Sequence, residues 1–376
     1  MITREPIKKI LALTRTQWDV PSERAGVRES FARVLACRTP KLGAEVYASA
    51  SEERVFFHTC KSKACPSCGN RGTLLWQREQ WVTLPDIPFV GVVLTMPNVF
   101  WPIFKDHRDL QRDLPALGAA AIQQWARDRY GVRLCVIVIQ HTFGGRLNHN
   151  PHLHMLVSAG GLKTSKGEWL PSLRFDRDEI MNLWRFAVTS YLESALRRGL
   201  LSLSGPSSIS AKTIREHGER WWNIQITPQM SKKHFLGYAG RYIRRLPIAQ
   251  RRILSVSPEE VVYESKVTRT KTHAVERCTP SEFVEKLAQH IPDRYRHSMR
   301  YFGLLAPRAK ATTSNAVFSL LSQQKRPKPK REWWADSLRR RFGTDPLTDT
   351  KGCRMHWVSS RKPTHVGSDP VSRPSY

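Results

Sequence analysis

Residues 132–161 read VRLCVIVIQHTFGGRLNHNPHLHMLVSAGG. Two apolar runs flank a short loop rich in Gly and Asn, which predicts two strands joined as a hairpin. Side chains alternate faces along a strand, so His152 and His154 project from the same face of the second arm. Such a pair can grip one metal ion. The first arm ends in Gln140 and His141, and either offers a third ligand, because both faces of that arm are apolar and parity does not choose between them. Imidazole is the better transition-metal ligand, which favours His141. His149 sits in the loop, outside the set. Two imidazoles and one further ligand leave coordination positions open, as a catalytic metal that polarises a phosphoryl oxygen requires.

Outward from the hairpin, PFVGVVLTMP (88–97) and WWNIQIT (221–227) read as further strands. Helical spacing covers about 72–84, 109–130 and 176–198. MSKKHFLGYAGRYIRRLP (230–247) predicts a helix stopped by Pro247. Beyond residue 250, VVYESK and KTHAVER form an expected strand pair, and Thr279 with Glu282 three positions on reads as a capped helix start. The expected fold class is α+β, an antiparallel sheet with flanking helices.

Tyr238 and Tyr242 lie four apart and so share one face of their helix. A phenol, with a pKa near ~10, is a poor nucleophile at neutral pH unless cations or a base favour phenolate. Lys232, Lys233, Arg241, Arg244 and Arg245 surround the pair in sequence and are the expected DNA-binding cations. Two aromatics packing a core stripe is the plainer reading of YxxxY taken alone.

FHTCKSKACPSCGNR (57–71) brings Cys60, Cys65 and Cys68 together, with Cys37 or His58 as the fourth ligand of a closed tetrahedral Zn²⁺ site. A closed site serves folding, since it has no open position for chemistry. Cys135 reads as core. Seven cysteines, three of them in this cluster, do not describe a disulfide framework.

The chain has 376 residues, with 61 Lys and Arg against 32 acids, a net charge of +29 spread along its length. That excess points to a polyanionic partner, nucleic acid, bound in a salt-dependent way. No apolar run approaches the ~18 residues of a spanning helix, and the amino terminus lacks a signal-peptide core, so the expected location is cytoplasmic, with no membrane partner. Trp221, Trp222, Trp333 and Trp334 are available for stacking on unpaired bases, although core packing is the expectation for the first pair. No GxxxxGK[ST] loop is present, so any unwinding motor must be a separate host protein.

HTFGGRLNHNPHLHMLVSAGGL (141–162) with YAGRYIRRLP (238–247) resembles the two-tyrosine HUH transposases of bacterial rolling-circle insertion sequences, U being a hydrophobic residue. CRTPKLG (37–43), HTCKSKACPSC (58–68), VVLTMPNVFW (92–101), WNIQITP (222–228), HIPDRYRHSMRYFGLLA (290–306) and WADSLRRRFGTDPL (334–347) match that family's landmarks in order. The resemblance implies an HUH (Rep/relaxase-like) antiparallel sheet presenting His152 and His154 to Mg²⁺ or Mn²⁺, behind a small N-terminal zinc-binding module. It also implies DNA nicking and joining through 5′-phosphotyrosine intermediates, with single-stranded transposon ends and target as substrates and a host helicase and replication proteins as partners. The chain departs from the family where a further CxxC is usual and VYASASEERVFFHTC stands instead, and near DPL, where Cys353 is alone and no second zinc is assigned. The expected organisation is a helical arm (1–36), a zinc module (37–75), the catalytic domain (76–250), the rest of the core (251–322) and a basic, largely flexible tail (323–376). Three other readings compete: a rolling-circle replication initiator or relaxase, a metal hydrolase that attacks with water, and a non-catalytic zinc-knuckle DNA-binding protein.

Overall fold

A computed structural model describes residues 5–201, 208–243, 246–266, 272–330 and 332–364. Its centre is a five-stranded antiparallel sheet built from β1 (Phe89–Leu94), β2 (Cys135–Phe143), β3 (His149–Ser158), β4 (Ile224–Ile226) and β5 (Met299–Gly303), in the order β5-β2-β3-β1-β4. The hairpin read from the sequence forms the middle pair. Its register sets His141 opposite His152 and Ile139 opposite His154.

That register divides the side chains between two faces. Val90, Val92, Val136, Val138, Met155 and Val157 turn to one face and pack with Leu114, Ile122, Trp125, Trp184 and Val188. These last come from α2 (Arg108–Tyr130) and α3 (Arg177–Arg197), and Asp176 caps α3 by accepting from the backbone N–H groups of Asp178 and Glu179. The other face, with Phe89, Ile137, Ile139 and Leu156, packs against Trp76 of α1 (Pro66–Thr83) and Phe235, Leu236 and Ala239 of α4 (Lys232–Gly240). Burying both faces of the sheet explains why its central strands are apolar almost throughout.

The α+β expectation therefore holds, and so do the paired strands Val261–Lys266 and His273–Cys278 and the capping box of Thr279 with Glu282. Three expectations are corrected. The helix expected to run to Pro247 ends its α-helical part at Gly240, and Tyr242 follows in a turn closed by bonds to Ala239 O from the N–H groups of Tyr242 and Ile243. Nor is the arm at 1–36 separate: Ile10, Leu11, Phe31 and Val34 share one core with Val261, Phe283, Leu287 and the clustered cysteines. Finally, the expected tail holds, besides the expected short helix at Trp334–Phe342, a strand, His356–Arg361, paired with Ala44–Ala48 beside the cysteine cluster.

Candidate functional site

Four cysteines converge at the start of α1. Cys65 is its N-cap, Cys68 lies in its first turn, and Cys37 and Cys60 approach from the preceding segments. Sγ separations of 3.7 Å join Cys37 to Cys65, Cys37 to Cys68, and Cys60 to Cys68. A tetrahedron with metal–sulfur arms of ~2.3 Å has edges of about 3.8 Å, so the donor set fits Zn²⁺. Hydrogen bonding among the sulfurs holds Cys37, Cys65 and Cys68 down to about 7 and pushes Cys60 up. The choice left open between Cys37 and His58 falls to Cys37. His58 is exposed, and its ring bonds Leu42 O and the Glu45 carboxylate, both at 3.0 Å.

The second cluster is His141, His152 and His154, whose ring nitrogens lie within 4.8 Å of one another. Here the register decides what the sequence left open. His141 is on the same face as His152 and His154, whereas Gln140 turns to the opposite face and donates its amide to Gln111 O at 2.7 Å. Gln140 is not a member of the set. Hydrogen bonds orient two of the rings: His152 Nδ1 donates to Asn150 O at 2.7 Å and His141 Nε2 to Tyr242 O at 2.8 Å. Each neutral ring then carries its lone pair on the other nitrogen, the arrangement usual for an imidazole that ligates a metal. Three convergent imidazoles fit a divalent ion.

The tyrosines lie beside this cluster. The Tyr242 ring stacks on His154 with centroids 4.0 Å apart, and the Tyr238 ring is 4.9 Å from Tyr242. Burial, and next the neighbouring Tyr242, push the Tyr238 phenol above its ordinary value. The Arg241 guanidinium lies over the Tyr238 ring at 5.0 Å. Tyr238 occupies a hollow made by Gly91 on β1, where a Cβ would come within 2.9 Å of its ring. Gly91 was missed in the sequence, although a lone glycine within an apolar strand is a signal of close approach.

The expected DNA-binding cations separate. Lys232 is buried, donating to Trp81 O and Leu84 O at 2.9 and 2.8 Å and pairing with Asp86 at 2.7 Å, so it anchors α4 instead of meeting phosphate. Lys233 and Arg241 are exposed, and Arg244 and Arg245 lie outside the described residues. Of the tryptophans, Trp222 is core, Trp334 packs on Phe56 and Tyr47, and Trp221 and Trp333 are exposed.

Comparison with known proteins gives two family matches. Residues 135–313 match the Y2_Tnp family, described as "Putative transposase", and residues 12–96 match the "Transposase zinc-binding domain" of the Zn_Tnp_IS91 family. The chain is 30% identical over 324 residues to the transposase for insertion sequence element IS801 from Pseudomonas savastanoi pv. phaseolicola, covering 81% of this chain and 77% of that protein. It is 25% identical over 299 residues to "Putative transposase y4qJ" of Sinorhizobium fredii, covering 75% of each. No solved structure matches.

Proposed function

Because this chain belongs to the family of insertion-sequence transposases that join a transposase zinc-binding domain to a Y2 transposase module, we propose that it nicks and rejoins single-stranded DNA at the ends of its element through 5′-phosphotyrosine intermediates, in a rolling-circle transposition. One observation carries this reading: Tyr242 stacks on His154 of a three-histidine cluster, and Tyr238 lies beside it, 4.9 Å away between ring centroids. A YxxxY pair that merely filled the core would not need to meet the imidazoles.

His141, His152 and His154 would hold Mg²⁺ or Mn²⁺, which supplies Lewis-acid polarisation of the scissile phosphoryl oxygen. The phenol oxygen of Tyr238 or Tyr242 attacks phosphorus, a tyrosyl O–P bond forms, the P–O3′ bond breaks, and the phenol proton is released as the 3′-hydroxyl takes one up. The phosphotyrosine keeps the energy of the phosphodiester, so rejoining needs no nucleotide triphosphate. Arg241, over the Tyr238 ring, opposes the rise that burial imposes on that phenol. Two nucleophiles side by side allow a second transfer before the first is resolved. Strand separation falls to a host helicase, with host replication proteins extending the freed 3′-end.

The test is incubation with Mn²⁺ and end-labelled single-stranded DNA from an element end, followed by SDS electrophoresis. A labelled protein adduct is expected, absent from the Tyr238→Phe, Tyr242→Phe double variant and from His152→Ala. Cleavage with no adduct would favour a hydrolase using water, and DNA binding with neither would favour the non-catalytic knuckle protein. Nicking confined to a replication origin would favour an initiator or relaxase.

A further inference from the structure

On the N-terminal side of Ser298, whose carbonyl still accepts from Gln140 N–H, the chain leading into β5 leaves β2, and a cavity of about 280 Å³ opens along β2 residues 139–143, bounded by residues 290–294 and 296–298 and by Ser62, Lys63 and Ala64 of the cysteine-bearing loop. One end of this cavity is lined by His141 and Tyr242. Its charge is one-sided. Arg108, Arg112, Arg294, Arg296, Arg300 and Lys63 line it, against the two carboxylates of Glu29 and Asp293.

Several of these cations are already held. Arg108 pairs with Asp293 at 3.0 Å, Arg296 with Asp109 at 2.6 Å, and Arg294 with Glu29. Arg300 differs: it is half-buried on β5, opposite Val138 and so on the Gln140 face of the sheet edge, and among the described residues it has no ion-pair partner. Between the two lining residues Arg294 and Arg296 stands Tyr295, whose side chain is 96% exposed on a backbone held at φ 62°. An aromatic ring left wholly in water, on a left-handed backbone that a bulky residue rarely adopts, is costly unless something covers it.

We propose that this cavity is a nucleotide subsite for the unpaired DNA strand as it runs from the linkage being cut over the edge of the sheet, with Arg300 meeting a backbone phosphate there and a base stacked on Tyr295 at the cavity's rim. The inference rests on the strand-cutting function proposed above. The surroundings match what unpaired strands require: a positive channel for the backbone, and aromatic faces that accept any base because every base has a π-face. It also gives Lys63 and its loop a place in the wall of the active-site cavity, so the zinc module borders the DNA directly.

The test measures binding of a short fluorescent oligo-dT by anisotropy, using the full chain with both Tyr238 and Tyr242 changed to Phe and no divalent metal. The outcome is thus independent of cutting. Tyr295→Ala is expected to weaken binding about tenfold, and Tyr295→Phe to leave it unchanged. Arg300→Ala should weaken binding and reduce the slope against log salt by about one. A duplex of the same length should be indifferent to Tyr295→Ala. Tyr295→Gly, which relieves the positive φ, should repeat the loss if the alanine variant melts low. Wild-type affinity in Tyr295→Ala or Arg300→Ala overturns the proposal, as does an equal loss for single strand and duplex. Should the adduct assay fail while these losses appear, the nucleophile assignment falls and the subsite stands.

Discussion

Gly91 governs where the Tyr238 ring can lie. A Cβ there would meet the ring at 2.9 Å and its hydroxyl oxygen at 3.1 Å, and β1 cannot recede because it is bonded to β3 and β4 on its two sides. Gly91→Ala is therefore expected to push the phenol out of its hollow, at an overpacking cost of about 1–3 kcal/mol. If Tyr238 is a nucleophile, adduct formation by the Tyr242→Phe protein should fall at least tenfold on adding Gly91→Ala, while denaturant unfolding shows only that modest loss. At this scale the sequence was partly legible. His152 and His154 were readable because strand alternation is strictly local, whereas choosing His141 over Gln140 needed the register between two strands, which depends on tertiary pairing. The same holds for Cys37, whose selection over His58 depends on how the chain folds back across more than twenty residues, since Cys60 N–H donates to Cys37 Sγ at 3.4 Å.

The elements that carry the site are braced by buried polar contacts. Lys232 ties the first turn of α4 to the end of α1 through two carbonyls and Asp86, and Gln77 of α1 donates to Leu236 O at 2.7 Å. Lys232→Met should lower stability by about 2–4 kcal/mol, read as a reduced denaturation midpoint, yet leave the salt slope of DNA binding unchanged. A lysine on DNA would behave in the opposite way. His149 and His290 brace the other side of the hairpin, their rings stacked at 6.4 Å, with His290 bonded to Thr142 and to Leu147 O. Burial, followed for His149 by the nearby His290 and Arg108, holds them down to about 3 and about 4, from an ordinary value of 6.5. Below 6.5 the unfolded chain thus binds protons that the folded chain refuses, so stability is complete above that pH and is lost as pH falls towards about 4. The loss should be on the order of a few kcal/mol, and His290→Gln should flatten the profile of melting temperature against pH. Strands β1 to β4 of the central sheet and the helices over 109–130 and 176–198 followed from apolar periodicity, but the strands Ala44–Ala48 and Glu53–Phe57 and the helix Pro307–Leu320 did not, and neither did the strand His356–Arg361. Its side chains are exposed throughout, so no alternation marks it, and only the backbone edge it pairs with defines it.

Across the whole molecule, the four cysteines, the sheet and the tyrosine-bearing helix are joined by one helix. α1 begins at the four cysteines and runs 18 residues, roughly 27 Å at 1.5 Å per residue, to the carbonyls that hold Lys232. The assembly should bind one equivalent of zinc, retained in His58→Ala and lost in Cys37→Ser, as read by a colorimetric chelator after denaturation. Chelation should lower the melting temperature of the whole chain and not only of its first residues, because the cysteines share a core with Ile253, Phe283 and Leu287. The overall charge, +29, predicted a polyanion from composition alone, but its concentration around one cavity could not be foreseen, since Lys63, Arg108 and the Arg294–Arg300 cluster come from distant parts of the chain.

The strand contributed by residues 356–361 has a further consequence, for biosynthesis. Ser360 and Glu45 are hydrogen-bonded across 315 positions of sequence, so the sheet of the first module stays open at one edge until residues 356–361 have left the ribosome. Metal capture by the cysteines can come early; closure of their sheet must come late, and a chain interrupted before residue 356 would emerge with that edge bare and prone to pair with a neighbour.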